Sequence, residues 1–273
     1  MSTKTIVITR PSGQARQLIE LLSQTIEQSG IAKRSLPDIV ALPLLTIVPK
    51  DDEQLADHIA SALKDADLAI FVSPNAVESV MRLLERDWQD FSKKVIPIGV
   101  MGGSSAMALK NHGIGLEASP TPVVVPKSNE QWDSEGLWQE LQSLKWNWPT
   151  KKIVIFKGEG GRDWLADTLT KAGATVEAIS TYTRVPLDEK NPAWHAIREM
   201  DISKSLWLLT SSEAVRYLGQ VANNQLEGLQ SASALCPHRN IADAAEAIGF
   251  GEVFTTEPGD EALIKATLAW LTI

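Results

Sequence analysis

The stretch IVIFKGEGGRDWLADTLTKAG, residues 153–173, decides the fold. Ile153-Val154-Ile155-Phe156 is a short apolar run of the kind that buried strands carry. Gly158, Gly160 and Gly161 follow almost at once. Beyond them Leu165, Leu169 and Ala172 fall at i, i+4 and i+7, one face of a helix, and Gly173 closes it. A strand that meets a helix through bare glycine backbone poses a question: what needs to come so close?

Working outward, the same alternation fills the chain. Strands are expected at Thr5–Thr9, Leu68–Val72, Val95–Val100, Lys152–Phe156, Thr175–Ser180, Ser205–Leu209, Ala232–Leu235 and Glu252–Thr255. Helical patterns lie between them at Ala15–Gln28, Ala76–Arg86, Arg162–Ala172 and Glu261–Leu271. The fold class is therefore α/β, with parallel sheets covered by helices. The chain also repeats itself in order. FVSPNAV (71–77) matches LTSSEAV (209–215), SSAMALKNHGI (104–114) resembles NIADAAEAIGF (240–250), and IVITRPSGQARQL (6–18) resembles IVIFKGEGGRDWL (153–165). Two similar α/β units follow. Taken alone, the repeats cut the chain near Pro149-Thr150, and Pro120–Pro126 reads as a loop holding a short strand.

Composition narrows the function. A chain of 273 residues is long for one domain, so two are expected. At 44% apolar and 22% charged it reads as an ordinary globular protein. Ile6-Val7-Ile8 reads as a strand with no cleavage site after it, so no signal peptide is expected. No apolar run approaches the roughly 18 residues of a membrane span. A single cysteine, Cys236, fits a reducing cytoplasm. A net charge of −8 argues against nucleic acid as a partner, though it leaves room for a small anion at a local site. His58, His112, His195 and His238 are scattered without metal-ligand spacing, so no metal is expected, and no nucleophile elbow is present.

Chemistry should sit in the turns. Arg10-Pro11-Ser12-Gly13, Ser73-Pro74-Asn75, Gly102-Gly103-Ser104-Ser105, Ser134-Glu135-Gly136, Gly158-Glu159-Gly160-Gly161 and Ser211-Ser212 each lead into a helix. The first helical turn leaves N–H donors without partners and carries a partial positive charge, which suits anions. Serine and glycine are ordinary caps and turn formers, and any one of these turns could be no more than that. Six at the carboxyl ends of parallel strands point to a ligand, because open α/β sheets bind there. Nucleotide phosphate fits poorly: Gly-Lys-Ser/Thr is absent, and Asp163 stands where a dinucleotide fingerprint needs its third glycine. Carboxylates fit better.

KGEGGRDWLADTLTKAGATVEAISTYTR, with FVSPNAV, DSEGLW and LTSSEAV, resembles the uroporphyrinogen-III synthase family from Ile6 to Leu271. The resemblance implies closure of hydroxymethylbilane to uroporphyrinogen III, with inversion of ring D and loss of water, and with no cofactor. It implies two α/β domains joined by a two-stranded crossing with a cleft between them. These would be 1–42 with 185–273, and 46–180, with crossings at 41–49 and 180–186. A cytoplasmic monomer is implied, with a small-molecule substrate, transient contact with the preceding bilane-forming enzyme, and no nucleic acid or membrane. A non-catalytic two-domain small-anion binding protein of periplasmic-binding type is the alternative, and a nucleotide-sugar transferase a third reading.

By the resemblance, Tyr182 faces the cleft, where its phenol hydrogen-bonds the departing hydroxyl; the competing reading is simple packing. Ser73, Ser105 and Ser211 bind carboxylates, with Gly102, Gly158 and Gly160 offering backbone. Asn240 occupies a turn where relatives carry threonine. Arg10 and Lys157 are equivalent in the repeat and stand at the two lips of the cleft, with Arg184 at the crossing. Glu159 and Arg162 are expected to cap and charge the following helix. The tryptophans between Trp132 and Trp148 are expected to pack, not to bind.

Overall fold

The structure, a computed structural model, describes residues 3–30, 36–84, 87–128, 131–225 and 227–272. The chain opens with β1 (Thr5–Ile8), α1 (Ser12–Gln28), β2 (Asp38–Ala41), β3 (Leu45–Pro49), α2 (Glu53–Asp65), β4 (Leu68–Phe71) and α3 (Pro74–Leu84). It continues through β5 (Ile98–Val100), α4 (Gly103–Asn111), β6 (Val123–Val124), α5 (Ser134–Ser143), β7 (Lys152–Gly158), α6 (Trp164–Lys171) and β8 (Thr175–Pro186). It ends with α7 (Ala193–Glu199), β9 (Ser205–Leu208), α8 (Ser212–Gln225), β10 (Ser233–Cys236), α9 (Arg239–Ala247), β11 (Glu252–Thr255) and α10 (Asp260–Leu271). The helix expected to run to Arg86 is described to Leu84; Glu85 and Arg86 lie outside the described residues.

The chain divides into two compact units, Met1–Thr46 with Val185–Ile273, and Ile47–Arg184. The division falls inside β3 and β8. In the first unit the sheet order is β11-β10-β9-β1-β2, every pair parallel. Period-two alternation sends Ile6, Ile8, Leu206, Leu208 and Leu235 to one face, in a cluster with Leu18 and Leu22 of α1 and Leu263 of α10. Val7, Trp207, Ala234 and Cys236 go to the other, with residues of α7, α8 and α9. Central strands buried on both faces read as unbroken apolar runs, which is why they are legible in sequence.

The second unit repeats the plan. Its sheet runs β3-β8-β7-β4-β5-β6, and β8-β7-β4-β5-β6 matches β2-β1-β9-β10-β11 strand for strand. Leu68, Ile70, Ile153 and Ile155 share a cluster with α5 and α6, while Ala69, Phe71, Ile98, Val100, Val154 and Phe156 share one with α2, α3 and α4. In chain order the second unit starts at the strand equivalent to β9 of the first, so a cut at Pro149-Thr150 would divide it before β7. The added strand β3 pairs antiparallel to β8: Lys50 N–H donates to Thr181 O, and Leu187 N–H to Leu44 O, so one index rises as the other falls.

Local differences have local causes. The strand expected from Val95 starts only at Ile98, since Pro97 has no N–H to give a ladder. β8 runs on beyond Ser180 to Pro186, and β2 is an additional edge strand with its ends exposed.

Cys236 is fully buried on β10, and burial, then the Glu246 charge, pushes its thiol up to about 12. The unfolded thiol titrates near 8.5 by ordinary values, so between there and about 12 the unfolded chain binds fewer protons and stability falls as pH rises. Urea midpoints should therefore drop across this range in wild type more than in Cys236→Ala; equal slopes would contradict the assignment.

Candidate active site

In the second unit the carboxyl ends of β4, β7 and β8 bring Ser73, Gly158 and Tyr182 together. The register between β7 and β8 shifts after Lys157, which pairs with Ser180, so that Gly158 pairs with Tyr182. Such an irregularity re-aims the side chain beside it. The Tyr182 ring is 1% exposed and packs in the core cluster with Phe156 and Ile179. It lies so near Gly158 that a Cβ there would stand 2.6 Å from ring atom Cε2. That answers the question raised by the glycine turn at its first glycine: an aromatic ring takes the space. Gly160, with φ +68° and nothing within 4 Å of a Cβ position, stays open.

The Tyr182 hydroxyl lies 3.0 Å from Ser73 Oγ and accepts from Arg184 Nη2 at 3.0 Å. Arg184 also sits over the ring, 5.1 Å from its centroid, and Nη1 donates to Glu159 O. Ser73 caps α3, its Oγ accepting the Ala76 N–H at 3.2 Å. Arg184 was legible as a charge near the crossing, but no spacing rule joined it to a phenol two residues earlier.

At the neighbouring strand end, Gly102 and Gly103 are covered by the Trp132 indole, which a Cβ would meet at 3.0 Å and 2.5 Å. Ser105 is 3% exposed, which leaves Ser104 as the exposed residue of that turn. Lys157 is ion-paired to Asp163. Glu159 and Arg162 do not cap α6. Glu159 pairs with Lys50 at 3.5 Å, while Arg162 pairs with Glu135 and lies over Trp164, 5.4 Å from the ring centroid. Long flexible side chains find opposite charges across the surface more readily than they fold back on their own helix. Glu135 Oε2, buried without a hydrogen-bond partner, is a polar atom the sequence did not single out. Trp138, Trp146 and Trp148 pack on the cluster beneath α5 and α6.

The first unit places Arg10, Ser211 and Asn240 at the ends of the adjacent strands β1, β9 and β10. Arg10 Nη1 is 2.6 Å from Asp260 Oδ1, so both repeat-equivalent bases, Arg10 and Lys157, are tied to an acid at a helix start. Ser211 caps α8 as Ser73 caps α3, accepting the Ala214 N–H at 3.3 Å. Asn240 is exposed in the first turn of α9, which no side-chain oxygen caps. Among the described residues, no cluster of three or more His, Cys, Asp or Glu could hold a metal, and no helix is long and apolar enough to cross a membrane.

The family model for uroporphyrinogen-III synthase HemD matches residues 11–265. The chain belongs to the uroporphyrinogen-III synthase family. It is 27% identical to the Escherichia coli uroporphyrinogen-III synthase over 271 residues, covering 96% of this chain and 98% of that one. The Salmonella typhimurium protein of the same name is 27% identical over 269 residues with the same coverage. The fold is similar to solved uroporphyrinogen III synthases of Thermus thermophilus and Helicobacter pylori, at TM-score 0.59 for both and 16% and 15% identity. These cover 99% and 98% of this chain and 99% of each neighbour. Membership in a synthase family sets aside the periplasmic-type binding protein.

Proposed function

We propose that this chain closes hydroxymethylbilane to uroporphyrinogen III, inverting ring D and releasing water. Family membership across residues 11–265 is the observation that carries the reading. The reaction class is a cyclising lyase of haem biosynthesis. The uncatalysed bilane closes without inversion, so the enzyme's task is to choose the product. It does so by holding ring D so that its substituted carbon attacks through a spiro intermediate, which is positioning more than chemistry.

A substrate with acetate and propionate groups on every pyrrole needs many donors. No side-chain oxygen caps α4 or α9, and the amides of Gly103, Ser104, Arg239 and Asn240 supply such donors at their starts. Gly160 gives open backbone in the second unit, and Ser211 adds a hydroxyl in the first. Arg10 and Lys157, each largely covered while its acid partner is the more exposed member of the pair, exchange Asp260 and Asp163 for substrate carboxylates. The working form is a cytoplasmic monomer that meets the bilane-forming enzyme transiently. The test is the isomer made: type III supports the reading, and type I alone, the product of spontaneous closure, overturns it.

A further inference from the structure

Hydrogen bonding around Tyr182 fixes where its proton goes, and from it we infer that Ser73 presents the proton to the leaving hydroxyl, with Tyr182 and Arg184 as positioning residues behind it. The inference rests on the reading that this chain expels water from hydroxymethylbilane. Two polar groups meet the phenol: Arg184 Nη2 and Ser73 Oγ, each 3.0 Å from Oη. A guanidinium has only donors and stays protonated in proteins, so Arg184 donates to Oη. Among the described residues the phenolic hydrogen then has one acceptor, Ser73 Oγ. That oxygen also accepts the Ala76 N–H, so its two lone pairs are engaged and its own hydrogen is turned to a third group.

Exposure agrees with this direction. Tyr182 is 1% exposed, whereas Ser73 is only half-buried. In the chain Arg184→Tyr182→Ser73, the serine is the member that a ligand can touch. Ser211 gives the structural contrast. It occupies the equivalent cap in the first unit, but among the described residues its side chain makes only the bond from the Ala214 N–H.

The step balances. The Ser73 proton passes to the departing hydroxyl, the C–O bond breaks with its electron pair going to that oxygen, and water leaves. The pyrrole nitrogen lone pair forms the double bond of an azafulvene cation. Ser73 takes the Tyr182 proton in the same motion, leaving a phenolate beside the Arg184 cation. After the carbon–carbon bond forms, the pyrrole carbon loses a proton to restore its aromatic ring. That proton returns through Ser73 to Tyr182, so the relay ends as it began.

Single-turnover closure of hydroxymethylbilane in Ser73→Ala, Ser73→Thr, Tyr182→Phe, Ser143→Ala and the Ser73→Ala/Tyr182→Phe pair tests this. Ser73→Ala and Tyr182→Phe should each slow isomer III formation about 10- to 100-fold, with the double variant no slower than Ser73→Ala, since members of one relay are not additive. Ser73→Thr should recover to within a few-fold of wild type, and Ser143→Ala, an exposed hydroxyl bonded to Glu140 O, should change the rate less than about threefold. The solvent deuterium isotope effect should shrink in Tyr182→Phe, which loss of packing would not cause. Product affinity should stay within about threefold in every variant. Wild-type turnover in Ser73→Ala beside a slow Tyr182→Phe would overturn the relay and make the phenol the direct donor; multiplying losses in the double variant would also overturn it. Absence of isomer III from wild type itself would overturn the functional reading and the relay with it.

Discussion

Gly158→Ala is expected to destabilise the second unit by about 1–3 kcal/mol, the usual cost of overpacking, and to reduce turnover with it. The added Cβ would stand 2.6 Å from Cε2, 2.7 Å from Cζ and 3.0 Å from Oη of Tyr182. The ring cannot swing aside easily. It is buried among Phe156, Ile179 and their neighbours, and its hydroxyl is tied to Ser73 and Arg184. Gly158→Val should cost more, because two further methyls enter the same space. The double variant Gly158→Ala/Tyr182→Ala separates the two effects. It should lose less urea midpoint than Gly158→Ala and Tyr182→Ala added together, since the clash is gone, and regain none of the turnover. A Gly158→Ala protein with wild-type midpoint and rate would show that the ring has room to move.

Gly136→Ala should be at least as damaging to the fold, about 3 kcal/mol, at the upper end of overpacking costs. Here the obstacle is backbone: the Cβ would lie 2.0 Å from Gln131 O and 3.0 Å from its carbonyl carbon. Asp133 Oδ1 accepts the Gly136 N–H at 2.7 Å, which fixes the turn that leads into α5. Relief would mean opening that cap, worth about 0.5–2 kcal/mol by itself. Gly13→Ala is the control. Nothing lies within 4 Å of its Cβ position and it sits inside α1, so it should be neutral or stabilise by about 0.4–1 kcal/mol. Equal midpoints for Gly136→Ala and Gly13→Ala would contradict the assignment.

How much of this was legible depends on how local the signal is. The central strands β1, β4, β7, β9 and β10 show as apolar runs, because burial on both faces demands it. Ser73 and Ser211 show as caps because the bond from the N–H three residues on is local. Edge strands gave less: Asp38–Ala41 has exposed ends, so alternation is weak there and β2 was not among the expected strands. Contacts between distant residues gave least. Nothing in the sequence says that Trp132 covers Gly102, that Asp260 holds Arg10, or that Tyr182 fills the space beside Gly158. The bare backbone of the glycine turns was visible, but an aromatic side chain of the same chain and a ligand make the same demand on it. For that reason Gly102 and Gly158 read as ligand contacts while their nearest neighbours are rings.

Selection of the attacking carbon by positioned hydrogen bonds, without a bound metal, is most directly tested by the isomer ratio. Protein exhaustively treated with chelator and desalted would be mixed with hydroxymethylbilane, and the porphyrinogens separated as types I and III after oxidation. Type III should dominate, at the rate of untreated protein and in proportion to enzyme over the spontaneous background. Type I alone from the chelated protein, with type III restored by adding a metal ion, would contradict it.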